Sequence, residues 1–206
     1  MKNKKDKGMM GIGTLIIFIA TILVAAVAAA VLVATSSSLQ QRSLMTGSQA
    51  EEGIATGVEA ISVMATDGSS GADLEHFEVL ARLQAGSDAL NLNNTVLIMD
   101  TQSNSLSLSY AGGADAAGDD GPAVDTQHYN ITYVKMGPDY KANYISRGDI
   151  VKMKFNCASC SSTATTGGIA ENKKVRLKIV PRIGTSTQIE FTTPDVITDS
   201  RVSLWP

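Results

Sequence analysis

The chain has 206 residues and a formal net charge of −3, and 44% of its residues are hydrophobic. This length leaves room for about one ordinary domain after a long N-terminal segment, with enough apolar side chains for a core. The first eight residues carry four lysines against Asp6, a local +3, so that the remaining chain has a net charge of −6. A mildly acidic chain without a basic stripe cannot neutralise many phosphates, which excludes nucleic acid as an expected partner.

The first predicted element is an apolar helix. No ionisable side chain occurs from Met9 to Gln41, and the stretch from Met9 to Ala34 is almost continuously apolar. In helical form this stretch would reach about 39 Å, enough to cross a bilayer with tilt. Lysines ahead of such a segment favour a cytoplasmic N-terminus, with the rest of the chain outside. A retained membrane anchor and a signal peptide cut near Thr35 are the alternatives.

The helical pattern continues beyond the apolar stretch. After the polar residues 35–38, apolar side chains recur at helical spacing: Ile54, Val58, Ile61 and Ala65. The glycines and serines of residues 68–71 provide a natural stop. We therefore predict a single helix over residues 9–66. A helix of this length is rare in a compact domain, so it should pack against something outside its own chain.

From Leu74 onward the hydrophobic period changes from 3.6 to 2. Apolar and polar residues alternate in five short segments: 106–110, 129–133, 151–155, 175–179 and 189–191. Short alternating strands with Gly, Asn, Asp and Ser turns between them predict an antiparallel, Ig-like β-sandwich over residues 72–206. The predicted fold class is therefore α+β, a long N-terminal helix followed by this sandwich. Residues 112–127 are small, acidic and without period, which predicts a surface loop.

Motifs at both ends of the chain are shared with a known family. At the N-terminus they are Lys7-Gly8, the apolar helix and the LQQ of residues 39–41. Towards the C-terminus they are YISRGDIVKMKF (144–155), KVRLKIVP (174–181), EFTTPD (190–195) and the final LWP. In these motifs the chain resembles the archaellins, or archaeal flagellins, which are type IV pilin-like subunits of the archaeal motility filament. Residues 70–125 carry little of this family signature.

The resemblance implies proteolytic processing of the N-terminus. Residues 1–8 would be a class III signal leader, which a membrane-embedded, aspartate-type prepilin peptidase removes after Gly8. Lys7, Gly8 and Met9 would then form the processing site, with Met9 as the mature N-terminus. Many bacterial type IV pilins carry a glutamate at the fifth mature position, which is Gly13 here. Archaellins commonly lack this glutamate, so Gly13 favours the archaellin branch over adhesive bacterial pilins.

The resemblance also implies a structural role, as a subunit of the archaellum filament. The chain would insert in the membrane before assembly and become extracellular afterwards, in a helical filament of itself or with paralogous archaellins. A membrane platform and a motor ATPase would be partners, because no motif in this sequence binds nucleotide. The alternatives are a type IV-like adhesive pilin and a membrane-anchored extracellular binding domain. The latter needs an exposed pocket or aromatic patch, for which Tyr129, Tyr133, Tyr140 and Tyr144 are the candidates.

The predicted polymerisation core lies in the first half of the helix. Close packing favours the association of apolar helices that leave lipid for one another, and it needs both interlocking bulk and small residues. The predicted core residues are Leu15, Ile16, Ile17, Phe18, Ile19, Ile22, Leu23, Ala25, Ala26, Ala29 and Ala30.

The two cysteines, Cys157 and Cys160, form a CxxC motif between a predicted strand and a loop. A thioredoxin-type motif requires a helix after it, and a zinc site requires two further ligands. A local disulfide in an oxidising exterior is the favoured interpretation, with free thiols and redox catalysis as alternatives.

Two N-x-T sequons, at Asn93 and Asn130, predict glycosylation of an exported domain, although either can be an ordinary turn or surface asparagine. The alternation of residues 129–133 predicts that Asn130 points to solvent. The acidic residues of the 112–127 loop could gather round calcium, but their spacing fits a solvated loop better. Neither His76 nor His128 belongs to a catalytic motif. We therefore predict no enzymatic activity, no cofactor and no metal.

Overall fold

A computed structural model describes residues 3–68, 73–102, 104–112, 125–158, 160 and 167–206, with the side chains of the first helix described from Met10. Helix α1 runs over Asn3–Ala55. The strands follow in chain order: β1 Val58–Ala65, β2 His76–Leu83, β3 Leu90–Asn91, β4 Val96–Thr101, β5 Ser105–Tyr110, β6 His128–Lys135, β7 Tyr144–Ile145, β8 Ile150–Asn156, β9 Lys174–Val180, β10 Thr187–Thr192 and β11 Val202–Trp205. A 3₁₀ turn, Leu92–Asn94, follows β3.

The predicted end of the helix at residue 66 is wrong. Helix α1 ends at Ala55, and Val58–Ala65 is strand β1. Val58, Val63 and Ala65 are buried against neighbouring strands, whereas Ile54 and Ile61 are exposed, so that the helical spacing of these residues was a coincidence. The β-branched residues in this segment suit a strand, and two register shifts in β1 obscure its alternation.

Gly57 marks the change from helix to strand. A Cβ atom at this position would lie 2.5 Å from Oε1 of Gln84 and 2.9 Å from Oγ1 of Thr185, so a larger residue would force these side chains away. The backbone at residue 57 also bridges to Thr185. The close approach of the Gln84 and Thr185 side chains therefore favours glycine at this position.

The chain divides into two compact units, residues 1–50 and 51–206. The β-unit therefore begins at Glu51, and the predicted boundary at residue 72 is wrong because β1 belongs to the sheet. Within the β-unit, five strands form the order β11-β1-β2-β8-β6, and four strands form the order β10-β9-β4-β5. The pairs within each group are antiparallel.

The two groups of strands join where β5 meets β6, and this pairing is parallel, contrary to the uniformly antiparallel prediction. It is short, linking Ser109 with His128 and Tyr110 with Tyr129. The residues before it, 113–124, belong to the predicted acidic loop and lie outside the described residues. Because a long connection separates β5 from β6, the two strands can run side by side in the same direction, which a tight hairpin would not permit.

The core lies between the two groups of strands. Phe77 of β2 faces Phe155 of β8 across the register, and their rings stack with centroids 5.5 Å apart. The Tyr129 hydroxyl on β6 donates a hydrogen bond of 3.1 Å to the carbonyl of Thr95, next to β4, so that even this buried polar group has a partner. The predicted α+β class, a long helix followed by a β-sandwich, is confirmed.

Candidate polymerisation surface

The exposed apolar surface of helix α1 is the most unusual feature of the molecule. From Met10 to Glu51 every described side chain is exposed. Phe18 is 63% exposed and Val24 70% exposed, values that belong to polar residues in an ordinary soluble domain. All eleven residues of the predicted polymerisation core lie on this exposed helix.

This surface is apolar on every side of the helix. The consecutive residues from Leu15 to Ile19 are all large and apolar, and successive residues in an α-helix point about 100° apart. The helix therefore has no polar face that could lie against water while the opposite face packed on one partner. It needs apolar surroundings on all sides, either lipid or several other helices. By length and composition it is able to cross a membrane.

The few polar side chains of the apolar segment are satisfied within the helix. Thr21 donates a hydrogen bond of 2.8 Å to the carbonyl of Ile17, and Thr14 donates one of 3.0 Å to the carbonyl of Gly11. Thr35 donates to the carbonyl of Leu32 at 3.0 Å. Hydroxyls bonded in this way can enter an apolar environment without losing a partner. The helix is thus suited to surroundings without water along its whole apolar length.

The predicted processing site, Lys7, Gly8 and Met9, belongs to helix α1, and its side chains lie outside the described part of the chain.

The described core residues all lie in the β-unit, the first being Val58. The β-unit therefore has a core of its own, to which the described part of the apolar helix contributes no buried residue.

A family model for archaeal-type flagellin matches residues 8–191. The chain belongs to the archaeal-type flagellins. Flagellin B1 of Methanococcus voltae is 33% identical over 99% of this chain and 97% of that protein. Flagellin B1 of Methanocaldococcus jannaschii is 32% identical, with 98% and 96% covered.

Solved structures share the fold of this flagellin. The crystal structure of the archaeal flagellin FlaB1 from Methanocaldococcus jannaschii superposes with a TM-score of 0.63 at 20% identity, covering 73% of this chain and 98% of that one. The archaeal flagellum of Methanospirillum hungatei strain JF1 gives a TM-score of 0.66 at 16% identity, covering 95% and 99%. The second likeness extends over nearly the whole chain.

The two sequons of this flagellin lie in different environments. Asn93 is exposed, in the 3₁₀ turn after β3, where its backbone N–H donates to Oδ1 of Asn91. Asn130 is only 1% exposed, on β6 opposite Lys154 of β8. The prediction that Asn130 points to solvent is wrong, because β6 is buried on both faces here and alternation no longer separates inside from outside. A glycan on Asn130 is incompatible with the folded β-unit.

Cys157 and Cys160 are both buried, and the structure pairs their sulfur atoms. Their Cα atoms are 5.2 Å apart, within the range of disulfides. Cys157 also donates its backbone N–H to the carbonyl of Glu75 at 2.7 Å. The pair thus lies where the chain after β8 turns beside the start of β2. No helix follows the motif among the described residues, contrary to what a thioredoxin-type site needs.

The structure brings together three side chains that sequence patterns did not connect. A carboxylate oxygen of Asp67, a carboxylate oxygen of Glu75 and a ring nitrogen of His76 lie within 4.8 Å of one another. Oδ2 of Asp67 accepts hydrogen bonds from the backbone N–H groups of Glu75 at 2.6 Å and His76 at 3.0 Å. These bonds link the end of β1 to the start of β2.

In the predicted acidic loop, Asp115, Asp119 and Asp120 lie outside the described residues.

Asp125 has a similar local role at the start of β6. Its carboxylate accepts the backbone N–H of Gln127 at 2.8 Å and contacts Nδ1 of His128 at 2.8 Å. These contacts, first the Gln127 N–H and then the His128 ring, lower the pKa of the exposed Asp125 carboxyl below its ordinary value. They support the chain where β6 begins its parallel pairing with β5.

Tyrosine contacts bear on the alternative of a binding domain. Tyr129 and Tyr133 are buried, and burial raises the pKa of both hydroxyls. Tyr140 packs edge-on against Tyr133 with centroids 5.0 Å apart. Tyr144 lies under Nζ of Lys141 and accepts a hydrogen bond from Asn91. These rings are therefore engaged with their own domain rather than displayed as an aromatic patch.

Proposed function

We propose that this flagellin is a structural subunit of the archaellum, which polymerises through helix α1 and carries the β-unit on the filament surface. The observation that carries the proposal is that the apolar part of helix α1 has no polar side and every described side chain from Met10 to Glu51 is exposed in the single chain, while the β-unit has a core of its own. Family membership and a solved archaeal flagellum of the same fold support it.

The physics of assembly follows from the composition of the helix. Large apolar side chains are compatible with lipid before assembly and with neighbouring helices after it, because exchanging one apolar environment for another changes the transfer free energy little. Association then depends on close packing. Alanines such as Ala25, Ala26, Ala29 and Ala30 keep parts of the helix thin enough for tight neighbours, while Leu15 and Phe18 supply interlocking bulk.

Processing at the leader is part of this proposal. A prepilin peptidase would cut after Gly8 and leave Met9 as the first residue, so that the basic leader stays behind when the helix enters the filament. A membrane platform and a motor ATPase would supply export and torque, and the filament would consist of this chain by itself or together with paralogous archaellins. The chain itself would be an extracellular, non-enzymatic polymer subunit that is membrane-inserted before assembly.

The intact mass of the filament protein tests the covalent part of the proposal. We expect a chain that starts at Met9, gains mass on reduction of the Cys157–Cys160 disulfide, and carries any N-linked glycan at Asn93. Asn93→Gln should then remove the glycan mass, whereas Asn130→Gln, the buried control, should not. A chain starting at Met1 or near Thr35 would contradict the processing step.

Assembly is tested by Ala26→Arg, with Ala26→Ser as a matched control of nearly the same size. An arginine there places a charge without a partner in the packed core, so filaments should be absent from material sheared from cells and viewed by electron microscopy. The serine variant should assemble, since its hydroxyl can bond to a carbonyl of its own helix. Filaments of normal length from the arginine variant would contradict the proposal.

A further inference from the structure

Three ionisable residues occur in helix α1 between Met10 and its end at Ala55: Arg42, Glu51 and Glu52. Arg42 and Glu51 are exposed, and Glu52 is half-buried. Within the described part of the chain, none of the three forms an ion pair. Residues nine apart rise about 14 Å along a helix, too far for Arg42 to reach Glu51 of the same chain.

In a packed assembly such charges require partners. A charge brought into a helix bundle without an opposite charge is strongly unfavourable, because it loses water and gains nothing in exchange. The surroundings of Arg42 on its own helix are uncharged from Met10 to Gln41 and from Ser43 to Ala50. When identical helices surround one another, the available carboxylates of this segment are therefore Glu51 and Glu52 of neighbouring copies.

The angular position of the two glutamates distinguishes them. Nine residues amount to about two and a half turns, so Glu51 lies on the opposite side of the helix from Arg42, whereas Glu52 is about 80° away from it. A filament grows by heterologous contacts, in which a patch on one side of each subunit meets a different patch on the next subunit. A cation on one side and an exposed anion on the other match this requirement.

We propose that Arg42 of one subunit pairs with Glu51 of a second copy of this chain, and that this pair sets the axial stagger between neighbouring helices. The inference rests on the proposed function, since it assumes that the helices polymerise. Packed apolar side chains resist sliding only weakly when many registers bury similar area, whereas one charge pair favours a single offset. The offset corresponds to about nine residues of helical rise, or about 14 Å.

The first test is a cysteine pair in full-length filaments. In Arg42→Cys with Glu51→Cys, the two positions are too far apart within one helix for a disulfide, so any bond between them joins two copies. We expect a ladder of covalent multimers after mild oxidation and a non-reducing gel, because the disulfide captures neighbouring helices whenever they adopt the proposed stagger. Each single variant should give dimers at most, because one engineered cysteine per chain can bond to only one other copy. Glu52→Cys with Arg42→Cys is the matched control and should give at least about tenfold less multimer.

Charge reversal gives the second test. Arg42→Glu alone and Glu51→Arg alone should each lower filament yield about tenfold or more, because each leaves like charges facing one another. The double exchange should restore most of the yield, and Arg42→Glu with Glu52→Arg should restore little. The membrane-bound chain before assembly should be equally abundant in all variants, which separates an assembly defect from misfolding.

Several results would overturn the inference. One is double-cysteine filaments without a ladder, and another is a ladder equally strong with Glu52. Lack of assembly by the double-cysteine variant would also contradict it, because that variant leaves no reversed or unpaired charge at either position. If Ala26→Arg polymerised normally, the proposed function itself would fail. If Ala26→Arg abolished assembly as expected but charge reversal at Arg42 and Glu51 had no effect, only the Arg42–Glu51 pair would be contradicted.

Discussion

Two phenylalanines summarise the difference between the two units. Phe155 of the β-unit is 1% exposed and stacks on Phe77, whereas Phe18 of the helix is 63% exposed. Phe155 obtains its apolar surroundings from its own chain, and Phe18 can obtain them only from other molecules. The difference teaches that this sequence contains one unit that folds around its own core and one that is complete only in lipid or among its copies.

The largest expected effect is the removal of the helix. A chain beginning at Glu51 should lose all filament formation and remain soluble in buffer without detergent, because the described core begins at Val58 and the apolar surface is gone. It should unfold cooperatively on heating, with a circular dichroism spectrum dominated by β-structure. An aggregated or unfolded product would show that the helix contributes to the β-unit after all.

A pair of matched truncations sharpens the comparison. Phe155→Ala should lower the free energy of unfolding of the β-unit by about 3–5 kcal/mol, because it opens a cavity beside Phe77. Phe18→Ala should leave that free energy within about 0.5 kcal/mol of the wild type and instead weaken assembly. Denaturant titration in detergent measures the first quantity, and filament yield measures the second. Equal destabilisation of the β-unit by both variants would contradict the separation of the two units.

Acid should produce the smallest effect. The folded pKa of Asp125 is lowered by the Gln127 N–H and by His128, so its stabilising contribution is complete above the unfolded pKa of about 3.9 and is lost as pH falls through the lower folded value. Asp125→Asn should therefore reduce the loss of stability of the β-unit between about pH 6 and pH 3 slightly. The group is exposed, so a large change would indicate a different role. Thermal unfolding at both pH values provides the measurement.

Parts of the molecule were predictable because their signals are local. An uncharged segment of this length excludes water wherever it lies, so the helix and its need for apolar surroundings follow from Met9–Gln41 alone. The strands with clear alternation, such as Ile150–Asn156 and Lys174–Val180, were also predictable, since one face of each is buried and the other is not.

Tertiary structure decided what local patterns could not. Val58–Ala65 has a helical spacing of apolar residues and becomes a strand because β2 and β11 pair with it. The alternation of apolar and polar residues in β6 predicts that Asn130 is exposed, but it is buried because both faces of β6 are covered. Asp67 meets Glu75 and His76 only through the connection between two strands. In each case the deciding partner lies elsewhere in the chain, and its contribution exceeds the intrinsic preference of the residues themselves.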